Sequence, residues 1–303
     1  MKGDGVLGLL GPRLEWLKPT GEAAVNNVLG LAGRTRAVTG PSSRWLTPGF
    51  VIVGGQRCGT TSMYRYLKAH PQVIPALTKE VHFFDINYSR GPDWYAAHFV
   101  AKRLAESRSR LLGRPVVTGE ASPYYMFHSH AIRRLHEMLP DTKIIVMLRD
   151  PVKRAISHYS HELAKGWETA DLAEAVRLEE PRLAGEEEKM VADPAYVSFA
   201  HQHYGYLARG DYLPQLQRIH SFYPRDQVIV VNSRDLYRDP DADYRRMLRF
   251  LGLREKTLRN YKQYNTYRSA KPDEATRVRL VRYFASRNAA LYDYLGEDLG
   301  WSR

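Results

Sequence analysis

An apolar strand that runs into a glycine turn and out again as a helix leaves a chain few folds to choose from. Residues 50 to 67, FVIVGGQRCGTTSMYRYL, have that form. Phe50 to Val53 are apolar at every position, the pattern of a strand covered on both faces, as in a parallel sheet. The turn keeps most of the phosphate-binding loop pattern of Gly, four residues, Gly, Lys, then Ser or Thr. Gly54 and Gly59 hold the spacing and Thr61 the hydroxyl, but Thr60 stands where that pattern needs its lysine.

Further apolar, β-branched runs follow in PVVTGE, KIIVML and QVIVV. Helical patterns lie between them, near 60–69, 129–138, 151–165, 211–222 and 241–251. A last helix is expected after Pro272, running to about Leu295. This alternation predicts an α/β fold, a doubly wound parallel sheet flanked by helices. Residues 49–303 read as a single domain and residues 1–48, Gly-rich and weakly periodic, as an N-terminal extension. The stretch 166–200, with EEPRLAGEEEK, is acidic and poorly periodic, so a solvated insertion is expected there. No internal repeat is visible.

Charge narrows the partners. The 303 residues carry 45 Lys and Arg against 33 Asp and Glu, a formal net charge of +12. That favours an anionic ligand or surface. The basic residues form no block and no stripe interleaved with aromatics, so no nucleic-acid partner is expected. The single cysteine, Cys58, excludes an internal disulfide and gives no sign of an oxidising compartment. No apolar run approaches the ~20 residues needed to cross a bilayer. GVLGLLGPRLEWL near the start is short, is interrupted by Pro12 and Arg13, and lacks a cleavage site. The expectation is a soluble, cytoplasmic protein, with a peripheral membrane contact through residues 5 to 17 left open. Oligomeric state is not legible.

A nest of backbone N–H groups at a helix N-terminus holds an anion with or without a following lysine. Thr60, Thr61 and Ser62 add hydroxyls, Cys58 and Gly59 complete the turn, and Arg57 puts a cation inside it. What is lost is the cation over a γ-phosphate and its companion magnesium ion. The loop therefore suits a nucleotide whose 5′-phosphate carries something other than a phosphate chain, or is a plain turn with no ligand. Cys58 reads as a small residue packing in that turn. In KIIVMLRDPVKRAISHYSHELAKG, residues 143–166, a strand ends at Arg149, Asp150 can cap a helix and Pro151 fits its first turn. Arg149 then lies at the carboxyl edge of the sheet, where α/β folds bind ligands, and Ser157 lies two turns into the helix. Both could reach one phosphate; the alternative for Arg149 is a structural ion pair.

GGQRCGTTS and LRDPVKRAISHY together resemble the 5′-phosphosulfate loop and the 3′-phosphate motif of the sulfotransferases that use PAPS, 3′-phosphoadenosine 5′-phosphosulfate. The resemblance runs on through KEVHFFD (79–85), GEASPYY (119–125), RGDYLPQLQRIHSFYP (209–224) and LYDYLGEDLGW. It is nearest to the carbohydrate branch that includes the heparan sulfate sulfotransferases. It implies the P-loop-like sulfotransferase fold, PAPS as sulfuryl donor, no metal, and a hydroxyl of a glycan, glycolipid or small-molecule acceptor. By the same resemblance Glu80 is the catalytic base, His82 and Asp85 assist it, and Arg149 and Ser157 take the 3′-phosphate. Arg57 aligns with the family's lysine; a guanidinium can stabilise charge on the leaving phosphate but is no proton donor. YNTYRSAKP (264–272) would close over the cofactor, with Arg268 and Lys271 as phosphate contacts. Ala121 replaces a substrate-facing lysine of the heparan-type enzymes, and their disulfide-bearing loop is missing. A P-loop kinase is the alternative reading, and Thr60 argues against it.

Overall fold

The computed structural model describes residues 42–264 and 269–301. Its strands are β1 (Phe50–Gly54), β2 (Val73–Pro75), β3 (Val117–Ala121), β4 (Lys143–Leu148) and β5 (Val228–Asn232). All pair in parallel in the order β2-β3-β1-β4-β5, so the chain crosses over repeatedly, as a doubly wound sheet requires. Phe50 pairs with Gly119 on one side and Lys143 on the other. Gly119 is obligatory, because a Cβ there would lie 2.4 Å from the Phe50 carbonyl oxygen.

The helices are α1 (Thr60–Lys68), α2 (Pro92–Ala96), α3 (Lys102–Leu112), α4 (Ala131–Met138), α5 (Pro151–Ala164) and α6 (Leu172–Leu183). They continue with α7 (Glu186–Ala192), α8 (Phe199–His203), α9 (Tyr212–His220), α10 (Ser233–Arg238), α11 (Pro240–Phe250) and α12 (Glu274–Leu295).

The strand pleat sorts the core into two layers. Val51, Val53, Ile144, Val146 and Leu148 face one side with Phe83, Phe84, Tyr95, Leu216 and Trp301. Phe50, Ile52, Ile145 and Met147 face the other, against Met63 and Leu67 of α1 and Tyr244 and Met247 of α11. A third cluster sits over α5, where Val152, Ala155 and Tyr159 meet Leu172, Ala175 and Val176 of α6 and Leu280 and Phe284 of α12.

The expected solvated insertion is thus corrected. Residues 166–200 hold α6, α7 and the start of α8, and Leu172, Ala175, Val176 and Met190 are buried. Strand β2 and helices α2 and α3 were also not expected from the sequence. Of the N-terminal extension, residues 42–48 are described and lie against the domain. Trp45 bridges to Ala101 and the Leu46 N–H donates to Val100 O at 2.8 Å. The stretch 5–17 lies outside the described residues.

Candidate active site

Two loops at the carboxyl ends of adjacent strands build the site. The turn after β1 is held from below: the Gly55 N–H donates to Met147 O at 2.6 Å and the Cys58 N–H to Gly55 O at 3.2 Å. Gly59, at φ 90°, takes the left-handed conformation that starts α1. Arg57 shares that region at φ 67° despite its Cβ, a strain of the kind that concentrates at ligand sites. The N–H groups of the first turn of α1 have no intrahelical acceptors, so the turn and the helix dipole together suit an anion.

The second motif meets the first here. Arg57 Nε donates to Ser157 Oγ at 3.1 Å, and Arg149 Nη1 donates to Arg57 O at 3.2 Å. Arg57 thus meets Arg149 and Ser157, which lie 92 and 100 residues further along the chain. As expected, Asp150 caps α5 by accepting from the Val152 N–H at 2.9 Å, with Pro151 in the first turn. Tyr212 pins the strand end by donating to Arg149 O at 2.8 Å. Beneath Ser157 the helix rests on buried charge. Arg154 is fully buried and donates to Tyr206 O, and Glu162 accepts from His203 Nδ1 at 3.0 Å.

Not every residue of the loop offers its side chain. Cys58 is fully buried with its Sγ 3.7 Å from the Tyr212 hydroxyl, and burial pushes the thiol up from its usual pKa. It packs, as its size suggests, and any ligand contact falls to its backbone. Ser62 is turned away as well: its Oγ accepts from the Tyr264 N–H at 3.1 Å. That bond fastens the 261–264 segment on α1, while the Ala270 N–H donates to Ser160 Oγ of α5 at 2.8 Å. The flanks of the 264–272 segment thus anchor on both phosphate motifs. Lys271 is exposed next to the second anchor; Arg268 lies outside the described residues.

The acid-base cluster sits at the end of β3. The Glu80 N–H donates to Ala121 O at 3.0 Å, and the His82 N–H donates to Ser122 Oγ at 3.2 Å. Glu80 and His82 both have positive φ, 62° and 52°, a doubly strained turn for residues with a Cβ. His82 Nδ1 lies 2.7 Å from Asp85 Oδ2, and its Nε2 lies 3.6 Å from Glu80 Oε2. Burial alone would raise the Asp85 carboxyl, yet the charge and hydrogen bond of His82 hold it below its usual pKa. Burial alone would likewise lower His82, and Asp85 more than reverses this, so the imidazole is raised. An ionised Asp85 fixes the Nδ1–H tautomer and turns Nε2 toward Glu80. Lys79 Nζ contacts Glu80 Oε1, and the Glu80 side chain keeps 39% of its surface exposed.

Sequence reading missed what lies beneath. Glu120 is fully buried; its carboxylate accepts from Tyr95 and Tyr125 at 3.0 and 3.1 Å and from Ser122 Oγ at 2.7 Å. Burial raises its pKa against those bonds. Ser122 links it to the His82 backbone. The available signal was an acid inside a predicted buried strand. Arg209 was also missed: buried over Tyr124 and Phe127, it donates to Gln56 Oε1 in the β1 loop and to Gln202 O at 2.7 Å. Among the described residues no group of three or more His, Cys, Asp and Glu could hold a metal.

A parallel sheet with a glycine turn at a helix N-terminus, a cluster of cations and a carboxylate-histidine pair at its carboxyl edge has the architecture of an α/β group-transfer enzyme. A family model described as the sulfotransferase domain matches residues 47–285, and the chain belongs to that family. It is a sulfotransferase.

The membrane-associated sulfotransferase kil1 of Dictyostelium discoideum is 24% identical over 84% of this chain and 66% of its own length. Mouse heparan sulfate glucosamine 3-O-sulfotransferase 6 is 28% identical over 87% of this chain and 76% of its own. Among solved structures, a sulfotransferase from Alicyclobacillus acidocaldarius superposes with a TM-score of 0.61 at 29% identity, covering 83% of this chain and 97% of that one. Nothing in these similarities favours a kinase.

Proposed function

We propose that the enzyme moves a sulfuryl group from PAPS to a carbohydrate hydroxyl, leaving PAP. The observation that carries the donor is the meeting of Arg57, Arg149 and Ser157, a set that offers charge-assisted bonds to an anion beside the helix N-terminus. When bound, PAPS supplies an activated sulfuryl group. Arg149 and Ser157 grip the 3′-phosphate, which ATP lacks. The loop N–H groups and the hydroxyls of Thr60 and Thr61 hold the 5′ end, and Arg57, released from Ser157, neutralises charge on the leaving phosphate.

Glu80 takes the proton of the attacking hydroxyl. His82, oriented by Asp85, positions the carboxylate, and Glu120 with Ser122 supports the strained turn. The carbohydrate acceptor rests on the mouse relative, whose name specifies heparan sulfate glucosamine. Heparan itself is disfavoured by Ala121, too short to reach an acidic sugar from the end of β3.

Calorimetry with PAP and 5′-AMP tests the donor. PAP should bind the more tightly, and Arg149→Ala should remove about 1.5–3 kcal/mol of that preference. Equal affinities in the parent protein would sink the 3′-phosphate assignment. Transfer of label from radioactive PAPS to a panel of neutral and acidic glycans then tests the acceptor.

A further inference from the structure

Helix α3 is badly suited to the inside of a protein. Of its eleven residues, Lys102 to Leu112, only Ala105 is buried. Leu104 is 65% exposed and Leu111 86%. At about 100° per residue these leucines, seven positions apart, point within about 20° of one another. They project from the same side of the helix, with Ser107 and Arg108 between them, a quarter turn or more away from Ala105. Arg103 and Arg110 precede the two leucines by one position each and line one side of the pair; Arg108 lines the other. Arg108 is fixed there by bonds from Nε and Nη2 to Pro71 O at 3.0 and 2.7 Å. With Lys102 and Arg114, five cations stand against the single acid Glu106 between 102 and 114. Leu77, 41% exposed and three residues before Glu80, adds apolar surface near the helix start. Its N–H donates to His98 O at 2.8 Å.

We propose that α3 docks the enzyme on an anionic lipid bilayer, with Leu104 and Leu111 entering the interface and the flanking arginines on lipid phosphates. Apolar side chains rimmed by arginine are the chemistry of an interfacial helix: one part enters the acyl boundary and the other stays with the headgroups. A polyanionic glycan would engage the arginines and leave both leucines in water. The loop that carries Glu80 is tied to the segment leading into α3 by the Leu77–His98 backbone bond. The inference stands apart from the choice of acceptor.

The full chain is tested by co-sedimentation with vesicles of phosphatidylcholine alone and of phosphatidylcholine with phosphatidylglycerol. Binding is expected to the second kind only. Leu104→Ser with Leu111→Ser, and separately Arg103→Glu with Arg110→Glu, should each lower it by roughly tenfold or more. PAP affinity and melting temperature should not change, since these side chains pack against nothing essential.

A Leu111→Cys variant carries one accessible thiol, because Cys58 is fully buried. A polarity-sensitive dye on it should shift to the blue only when anionic vesicles are added. A dye already blue-shifted without vesicles would mean that α3 is covered by the rest of the chain or by a second copy, and would overturn the proposal. So would vesicle binding indifferent to the leucines, no binding at all, or binding to heparin with none to vesicles.

Discussion

At the scale of single residues the site is an argument about who holds which proton. Glu80 keeps 39% of its side chain exposed, while His82 and Asp85 stand behind it as a pair. Glu80→Gln keeps shape and hydrogen bonding but cannot accept a proton, so kcat should fall ~10²–10⁴-fold with PAP affinity nearly unchanged. Retention of more than roughly a tenth of parental kcat would remove Glu80 from the base role.

His82 is predicted to differ. Its pKa is raised by Asp85, so its contribution to stability is full below the ordinary histidine value and fades as pH rises through the folded one. Asp85, held low, contributes above the ordinary carboxyl value and fades as pH falls through its own folded value. Asp85→Asn should therefore bring the His82 titration, read by NMR, to lower pH. An unmoved titration would break the pair.

The motif KEVHFFD made these side chains legible in the sequence. Their positive φ angles and the Glu120-Ser122 support were not, because backbone strain and long-range hydrogen bonds leave no periodic trace.

Among the elements, legibility followed burial pattern. Strands β1, β4 and β5 are mainly runs of apolar residues, and β3 is legible from the β-branched residues at its start; β2, only Val73–Pro75 and ending in proline, carries too little pattern. Helix α3 hid for the opposite reason, having almost no buried face to set a period. Helix α6 was misread because an acid occupies a core position. Leu172, Ala175, Val176 and Glu179 form one buried i, i+3, i+4, i+7 stripe, and Glu179 accepts from the Leu207 and Ala208 N–H groups at 2.6 and 2.8 Å.

Burial pushes the Glu179 carboxyl up to about 7 in spite of those bonds. A group raised on folding loses its stabilising contribution as pH climbs from its unfolded value through its folded one. Stability should thus decline between about pH 4.5 and 7, by roughly 3 kcal/mol. Glu179→Gln should flatten that decline in urea titrations at several pH values. The same slope in the variant would assign it to another group.

Across the whole molecule, the proposed donor site draws on pieces that the chain scatters: the turn after β1, the start of α5, and the flanks of the 264–272 segment, anchored on α1 through Ser62 and on α5 through Ser160. The strand-turn-helix pattern located the first two pieces in sequence, and the family resemblance the third. Their meeting depended on β1 and β4 being neighbours, a fact of strand order that no local pattern contains. Binding a single anion across three such pieces links them thermodynamically, since the unfolded chain offers no such cluster. PAP at a hundredfold excess over its dissociation constant should then add about 2.7 kcal/mol of stability. For a domain of this size that raises the melting temperature by roughly 5–10 °C.

Because the attraction joins a tetra-anionic ligand to a chain of net charge +12, the gain should shrink as salt screens it. Ser157→Ala removes one hydroxyl contact to the proposed 3′-phosphate, so it should diminish the shift without abolishing it. Arg149→Ala, which removes both a charge and the bond to the Arg57 carbonyl, should cost more. Thermal shift measured for the parent and both variants, with PAP and with 5′-AMP, decides the matter. If PAP fails to stabilise the parent, or if both variants respond as fully as the parent, the three pieces do not form one donor site.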